Sequence, residues 1–242
     1  MRIDKMLANL GFGSRKEVKK LLKAGAVKVN GETVTDGKFH VNHEKDEVTV
    51  HGEAVTYKEF IYLMMNKPAG VISATEDYYD ETVVDLLEID DAVYKPFPVG
   101  RLDKDTVGLL LLTNDGQLAH QLLSPKKHVP KTYYAIVRGG QVTEKDQELF
   151  AKGVELDDGY VTKPAELKIL RSGEIQSEIE LTITEGKFHQ VKRMFQAVGK
   201  KVVYLKRISM GPIQLDEDLA EGEYRELTDE EVALLKEWRT TN

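Results

Sequence analysis

The chain has 242 residues, of which 41% are hydrophobic, with a formal net charge of −7 and no cysteine. Disulfides, cysteine-ligated zinc and thiol catalysis are thereby excluded, and the ordinary apolar content argues for a folded chain. The length suits one large domain or a small domain joined to a medium one.

The opening MRIDKMLANLGFG lacks the apolar run of a secretory signal, and no later stretch approaches bilayer-spanning length. A cytoplasmic protein with no membrane partner is therefore expected. In the same segment Ile3, Met6, Leu7 and Leu10 follow the i, i+3, i+4, i+7 spacing of a helix with one buried stripe. Gly11 and Gly13 break it, and Ser14 with Glu17 forms an S-x-x-E capping box that starts a second helix. Val18, Leu21 and Leu22 give that helix an apolar face, and Gly25 suits the left-handed residue that ends it. AVKVNGETV then reads as a hairpin turning at Asn30-Gly31.

The charge is unevenly spread. Residues 1–31 hold eight Lys or Arg against two acids, and residues 186–207 hold seven Lys or Arg and no acid. Residues 214–231 carry nine acids and one arginine, the pattern of a solvated loop. An acidic chain with two concentrated basic patches can bind a polyanion locally, although either patch alone reads as a solvated face. Arg2, Lys5, Arg15, Lys16, Lys19 and Lys20 crowd the first two helices opposite their apolar stripes. Such a surface meets phosphates rather than base edges. The run RIDKMLANLGFGSRKEVKKLLKAGAVKVNGETV resembles the S4 RNA-binding domain, which implies RNA contacts at Arg2, Lys5, Ser14, Arg15, Lys16 and Lys19.

A polar connector, HGEAVTYKEF, precedes a second pattern. Residues 61–72 read as an apolar strand bent at Asn66-Lys67-Pro68-Ala69-Gly70. Leu109–Leu112 is a continuous apolar run, as expected of a strand buried on both faces, and Arg101 and Asp103 lie in the loop that enters it. A lone Asp in such a loop is ordinarily a turn-former. Lys131, Tyr133 and Tyr134 begin another strand whose alternation sends the two tyrosines to opposite faces. After an alternating strand from Ile175 to Ile183, a Glu185-Gly186 bend leads into a helix whose start is crowded by Lys187, His189, Lys192 and Arg193. Cations at a helix N-terminus oppose the macrodipole, which points to an anion nearby. The six histidines show no metal-ligand spacing. Thr228 and Glu231 form a capping box for a final helix that Trp238 is placed to dock.

Taken in order, Lys67-Pro68-Ala69-Gly70, Gly100-Arg101-Leu102-Asp103 with Thr106, the run from Gly108 to Gly116, Lys131-Thr132-Tyr133 and EGKFHQVKRMF resemble the pseudouridine synthase family. Within it they are closest to the branch with an N-terminal S4 domain that modifies ribosomal RNA. The wording of EGKFHQVKRMFQAVG, VTKPAEL and LAEGEYRELTDEE is most similar to enzymes acting on one uridine of 16S rRNA. The resemblance implies an α+β protein, with an S4-like module over residues 1–56 and a catalytic domain over 57–242 built on a mainly antiparallel sheet. It implies no cofactor and no metal, and a monomer acting on 16S rRNA or a small-subunit assembly intermediate. It places the catalytic aspartate at Asp103, its basic partner at Lys192 and a base-stacking tyrosine at Tyr133, leaving Tyr134 for the core. Arg101 falls where an arginine fills the space vacated by the flipped base, and Lys67, Lys187, His189 and Arg193 are further RNA contacts. The competing readings are a large-subunit target and a non-catalytic RNA-binding or ribosome-assembly factor.

Overall fold

The computed structural model describes residues 1–241, with side chains through residue 238. The chain divides into two compact units, Met1–Ile61 with Leu87–Pro96, and Tyr62–Leu86 with the remainder from Phe97. Residues 57–61 and 87–96, which the boundary expected at residue 56 places in the second domain, cluster with the first unit.

In the first unit, helices α1 (Ile3–Asn9) and α2 (Arg15–Lys23) pack on an antiparallel sheet of β1 (Val27–Val29), β2 (Glu32–Thr33), β3 (Val48–Val50) and β4 (Glu53–Val55), in the order β2-β1-β3-β4. A one-turn helix, α3 (Ile89–Ala92), belongs to the same unit. The expected capping box is formed: Glu17 N donates to Ser14 Oγ and Ser14 N to Glu17 Oε2. Asn30 and Gly31 both have positive φ, at 52° and 83°, as a tight hairpin of this twist requires. Ile3, Met6, Leu7, Val18 and Leu22 meet Val27, Val29, Val48 and Val50 in one core, and each fully buried side chain of this size contributes about 1.5–3 kcal/mol. Tyr94, reached from the 87–96 segment, packs against that core and accepts a hydrogen bond from Lys58 N.

The second unit is a nine-stranded sheet. Its strands are β5 (Tyr62–Lys67), β6 (Phe97–Pro98), β7 (Val107–Thr113), β8 (Lys131–Arg138), β9 (Glu166–Arg171), β10 (Gln176–Ile183), β11 (Lys201–Met210), β12 (Ile213–Gln214) and β13 (Tyr224–Glu226). The main path runs β13-β5-β7-β11-β8-β10-β9, with β6 on β7 and β12 on β11. Every pairing is antiparallel except β7 with β11. Helices α4 (Gly116–Leu123), α5 (Glu144–Lys152), α6 (Gln190–Ala197) and α7 (Asp229–Thr241) complete the unit. All seven residues of β7 are buried, as the Leu109–Leu112 run predicts.

The acidic 214–231 stretch departs from the solvated loop expected of it. Its residues 224–226 form β13 and pair with β5 at the sheet edge, where Arg225 binds Asp216 and Glu231. The Thr228–Glu231 capping box opens α7 as expected, and Trp238 packs against the core beneath it. Among the described residues, no helix is long and apolar enough to cross a membrane.

The parallel pair positions the site. Val107 and Gly108, at the start of β7, lie opposite Lys206 and Arg207, well along β11. The first half of β11 thus runs on past the start of β7, and the 101–106 loop leaves the sheet on the side from which α6 feeds β11. The two backbones approach closely here. A Cβ on Gly108, whose φ is 106°, would stand 2.3 Å from Arg207 O, so only glycine fits.

Candidate active site

Two anchors fix the loop that carries Asp103. Ser73 Oγ accepts from Leu102 N at 3.0 Å and donates to Leu102 O at 3.1 Å. Lys67, fully buried at the end of β5, donates from Nζ to the carbonyls of Pro68 (2.9 Å), Lys104 (3.2 Å) and Thr106 (2.8 Å). This corrects the expectation of an RNA contact at Lys67: its ammonium faces backbone oxygens, out of reach of any ligand. Burial pushes its pKa down to about 8 against the opposing charges of Asp105 and Asp103. Buried carbonyls need a donor, and the one lysine serves all three at once.

On that loop the Asp103 carboxylate is held from two sides. Lys192 Nζ, in the first turn of α6, lies 3.2 Å from Oδ2, and His189 Nε2 lies 3.3 Å from Oδ1. Lys192 also donates to Asp105 Oδ1 at 2.7 Å. Burial works against the lysine's charge, but the hydrogen bonds to Asp105 and Asp103 outweigh it and raise its pKa. The bond from Lys192 holds Asp105 below the ordinary carboxylate range. His189 itself has φ 48°, a left-handed conformation that turns the chain into α6 and aims its ring at Asp103.

The turn before α6 is tied down by Gln190, which accepts from Lys187 N and donates to Glu185. Glu185 also accepts from Lys163 N and from the Tyr160 hydroxyl. Behind the turn Phe195 packs edge-on to Phe150 of α5 at 5.0 Å. The helix start is therefore rigid, as a site whose geometry matters requires.

Asp103, Arg101, Thr106, Lys187, His189 and Lys192 line one cavity of about 90 Å³, with Tyr133 of β8 as its aromatic wall. Tyr133 is nine-tenths buried, and its hydroxyl takes no hydrogen-bond partner among the described residues. Alternation sends Tyr134 to the opposite face, but it does not enter the core expected of it. It is half-buried there, hydrogen-bonded to Glu178 and edge-on to Tyr204, and its pKa is pushed up to about 12 by the bond to Glu178. Arg193, at the helix start, is occupied by Asp157 at 2.6 Å and Asp158 at 2.9 Å.

Of the RNA contacts expected in the first unit, Lys5 on α1, Arg15, Lys16 and Lys19 on α2, and Ser14 at the N-cap of α2 are exposed. Arg2 differs. It donates from Nε and Nη2 to Asp4, a fully buried carboxylate whose pKa burial would raise but which the Arg2 hydrogen bond and the charges of Arg2 and Arg15 hold low. The sequence does not single out Ser73 and Asp105, and it shows Glu185 and Gln190 only as part of a motif, because their roles depend on contacts with other segments.

A carboxylate beside an ammonium and an imidazole, in one cavity with an aromatic wall, can carry out proton or nucleophilic chemistry on a planar base. Residues 61–197 match the family model described as RNA pseudouridylate synthase, and residues 1–48 match the S4 domain. The chain belongs to the RNA pseudouridylate synthase family. It is 60% identical to a Bacillus subtilis protein named as the uncharacterized RNA pseudouridine synthase YtzG, across 98% of this chain and 99% of that one. It is 41% identical to the ribosomal small subunit pseudouridine synthase A of Escherichia coli K12, across 96% and 99%. A crystal structure of a pseudouridylate synthase, 42% identical, superposes with a TM-score of 0.66 over 97% of this chain and 99% of that one. The α+β architecture, the S4 module and the mainly antiparallel sheet expected from the sequence are those of this synthase family.

Proposed function

We propose that the protein isomerises one uridine of small-subunit ribosomal RNA to pseudouridine, with Asp103 as the catalytic carboxylate. The observation that carries this reading is the placement of Asp103 between Lys192 and His189, in the same cavity as the Tyr133 ring. Similarity over nearly the full length to ribosomal small subunit pseudouridine synthase A of several bacteria favours the 16S target. The protein then acts as a cytoplasmic monomer on 16S rRNA or an assembly intermediate.

The reaction breaks the bond between uracil N1 and ribose C1′, turns the base, joins C5 to C1′ and moves one proton from C5 to N1. It is redox-neutral and imports no group. The target base leaves its stack at a cost of a few kcal/mol and lies against Tyr133, while Arg101, exposed at the cavity mouth, fills the vacated space. Asp103, which accepts a hydrogen bond from Lys192, starts cleavage as a nucleophile or as a base. Lys192 holds Oδ2 and His189 holds Oδ1, so the two contacts together fix the orientation of the carboxylate.

The test is to incubate the protein with small- and large-subunit rRNA, naked and protein-bound, and to map pseudouridine by carbodiimide labelling and primer extension. One new stop in 16S rRNA that vanishes with Asp103→Asn is expected. A stop in large-subunit RNA alone would move the target, and tight binding with no stop would make the protein a binding factor.

A further inference from the structure

Next to the Asp103 cavity lies a larger one, of about 510 Å³, which shares Arg101, Tyr133, Gly186 and Lys187 with it. Its floor is the sheet. Arg207 of β11 stands directly opposite Tyr133 of β8, and Lys131 is two residues before Tyr133 on the same strand, so all three side chains emerge on one face. Arg207 is 3% exposed. Its Nε donates to Leu109 O at 2.8 Å, but its Nη2 is buried and has no hydrogen-bond partner. Buried guanidinium nitrogens are normally satisfied, and here one is left without an acceptor on a residue that lines the cavity.

The charge of the cavity says what kind of acceptor. Arg101, Lys131, Lys163, Lys187 and Arg207 line it against a single acid, Glu185. That carboxylate is already engaged by the Tyr160 hydroxyl, Lys163 N and Gln190 Nε2. It therefore has little left to offer the cations. Burial, and then the charge of Arg207, push the Lys131 ammonium down to about 8. Two like charges thus disfavour one another at the cavity wall, an arrangement that an anion between them would relieve.

We propose that this cavity holds a backbone phosphate adjacent to the target uridine, bound by Arg207 and Lys131 while the base lies on Tyr133. This rests on the reading that the Asp103 cavity accepts a uridine. The guanidinium supplies a directed N–H and the ammonium a point charge, a combination suited to a phosphodiester. A nucleotide's base and its flanking phosphates are one ribose apart, as Tyr133 and its cross-strand neighbour Arg207 are one strand apart. The phosphate would then fix the sugar of the target with respect to Asp103.

The test measures binding of uridine, uridine 3′,5′-bisphosphate and inorganic phosphate to the full-length protein by calorimetry, with no turnover required. The bisphosphate is expected to bind at least ten-fold more tightly than uridine or free phosphate. Lys131→Met and Arg207→Gln should each erase most of that gain while leaving uridine affinity unchanged. Should Arg207→Gln fail to fold, Lys131→Met decides the matter alone. Equal affinity for uridine and bisphosphate, a gain that survives Lys131→Met, or free phosphate binding as tightly as the bisphosphate would overturn the proposal. Absence of pseudouridine in 16S rRNA would overturn the proposed target and leave this measurement standing.

Discussion

Lys192 Nζ sits between two carboxylates, 3.2 Å from Asp103 Oδ2 and 2.7 Å from Asp105 Oδ1, so the cation that serves Asp103 is itself steadied by a second acid. Asp105 is the more exposed partner and acts as a tether. Removing the charge with Lys192→Met should lower the rate of pseudouridine formation by about 10²-fold, the usual scale for losing one electrostatic contact in a site. Lys192→Arg should retain more activity than Lys192→Met, because the cation remains. Single-turnover kinetics on the mapped RNA checks both, and equal rates for the two variants would remove the electrostatic role.

Tyr133 separates two roles that one residue can combine. Tyr133→Phe keeps the ring that walls the cavity and removes a hydroxyl that has no hydrogen-bond partner among the described residues. Tyr133→Ala removes the stacking surface, worth about 1–3 kcal/mol for one base. RNA binding should survive Tyr133→Phe and weaken with Tyr133→Ala. A chemical step that slows in the phenylalanine variant assigns the hydroxyl to proton transfer at C5, and an unchanged step leaves the residue as a stacking wall.

The local elements of this fold were legible because their signals are local. The Ser14–Glu17 cap, the Asn30-Gly31 hairpin and the buried β7 each follow from a few neighbouring residues. The Asp103 loop was legible only through resemblance to a family, since an Asp before an apolar strand is otherwise a turn-former. What escaped notice depends on distant segments. Nothing near Lys67 in sequence shows that its ammonium will meet carbonyls 37 and 39 residues away. Arg207 reads as one more cation of a basic block until β11 lines up with β8 and buries it. Tyr134 reads as core because its alternation is seen before the Glu178 beside it.

Lys67 should behave as a structural residue. Lys67→Met fills similar space but strips the Pro68, Lys104 and Thr106 carbonyls of their shared donor. Leaving such groups unsatisfied costs about 1–3 kcal/mol each where they stay dry, so a loss of about 2–5 kcal/mol is expected, moderated where water reaches the loop. Denaturant unfolding measures it. Activity should fall with the misplaced loop, while the salt dependence of RNA binding should match that of the unaltered protein, because this ammonium touches no phosphate.

The exposed lysines of the first unit should do the opposite. Replacing Lys5, Lys16 and Lys19 together by Gln removes three exposed charges from α1 and α2 without touching the core. If each neutralises one RNA phosphate, the slope of log K against log salt should fall by about 2–3. Thermal stability should change little, since none of the three is buried. Filter binding across a salt series gives the slope, and an unaltered slope would remove this surface from the RNA interface.

The pH dependence of phosphate binding follows from Lys131. Its pKa of about 8 lies below the ordinary lysine value because burial and the neighbouring Arg207 both disfavour the charged form. The charged groups sharing its cavity are Arg207 on β11, Glu185 in the turn before α6, Arg101, Lys163 and Lys187. Guanidinium groups as a class stay charged throughout this pH range. Anion binding favours the protonated ammonium, so affinity is full well below pH 8 and declines as the pH rises through it. Phosphate monoesters lose their second proton near pH 6, so the ligand's charge hardly changes above pH 7. Affinity for uridine 3′,5′-bisphosphate should therefore fall between pH 7 and pH 9 by up to about ten-fold per pH unit above 8, the limit for release of one proton. Lys131→Met should flatten the profile at the lower, high-pH affinity. A decline that persists in that variant would place the titrating group elsewhere.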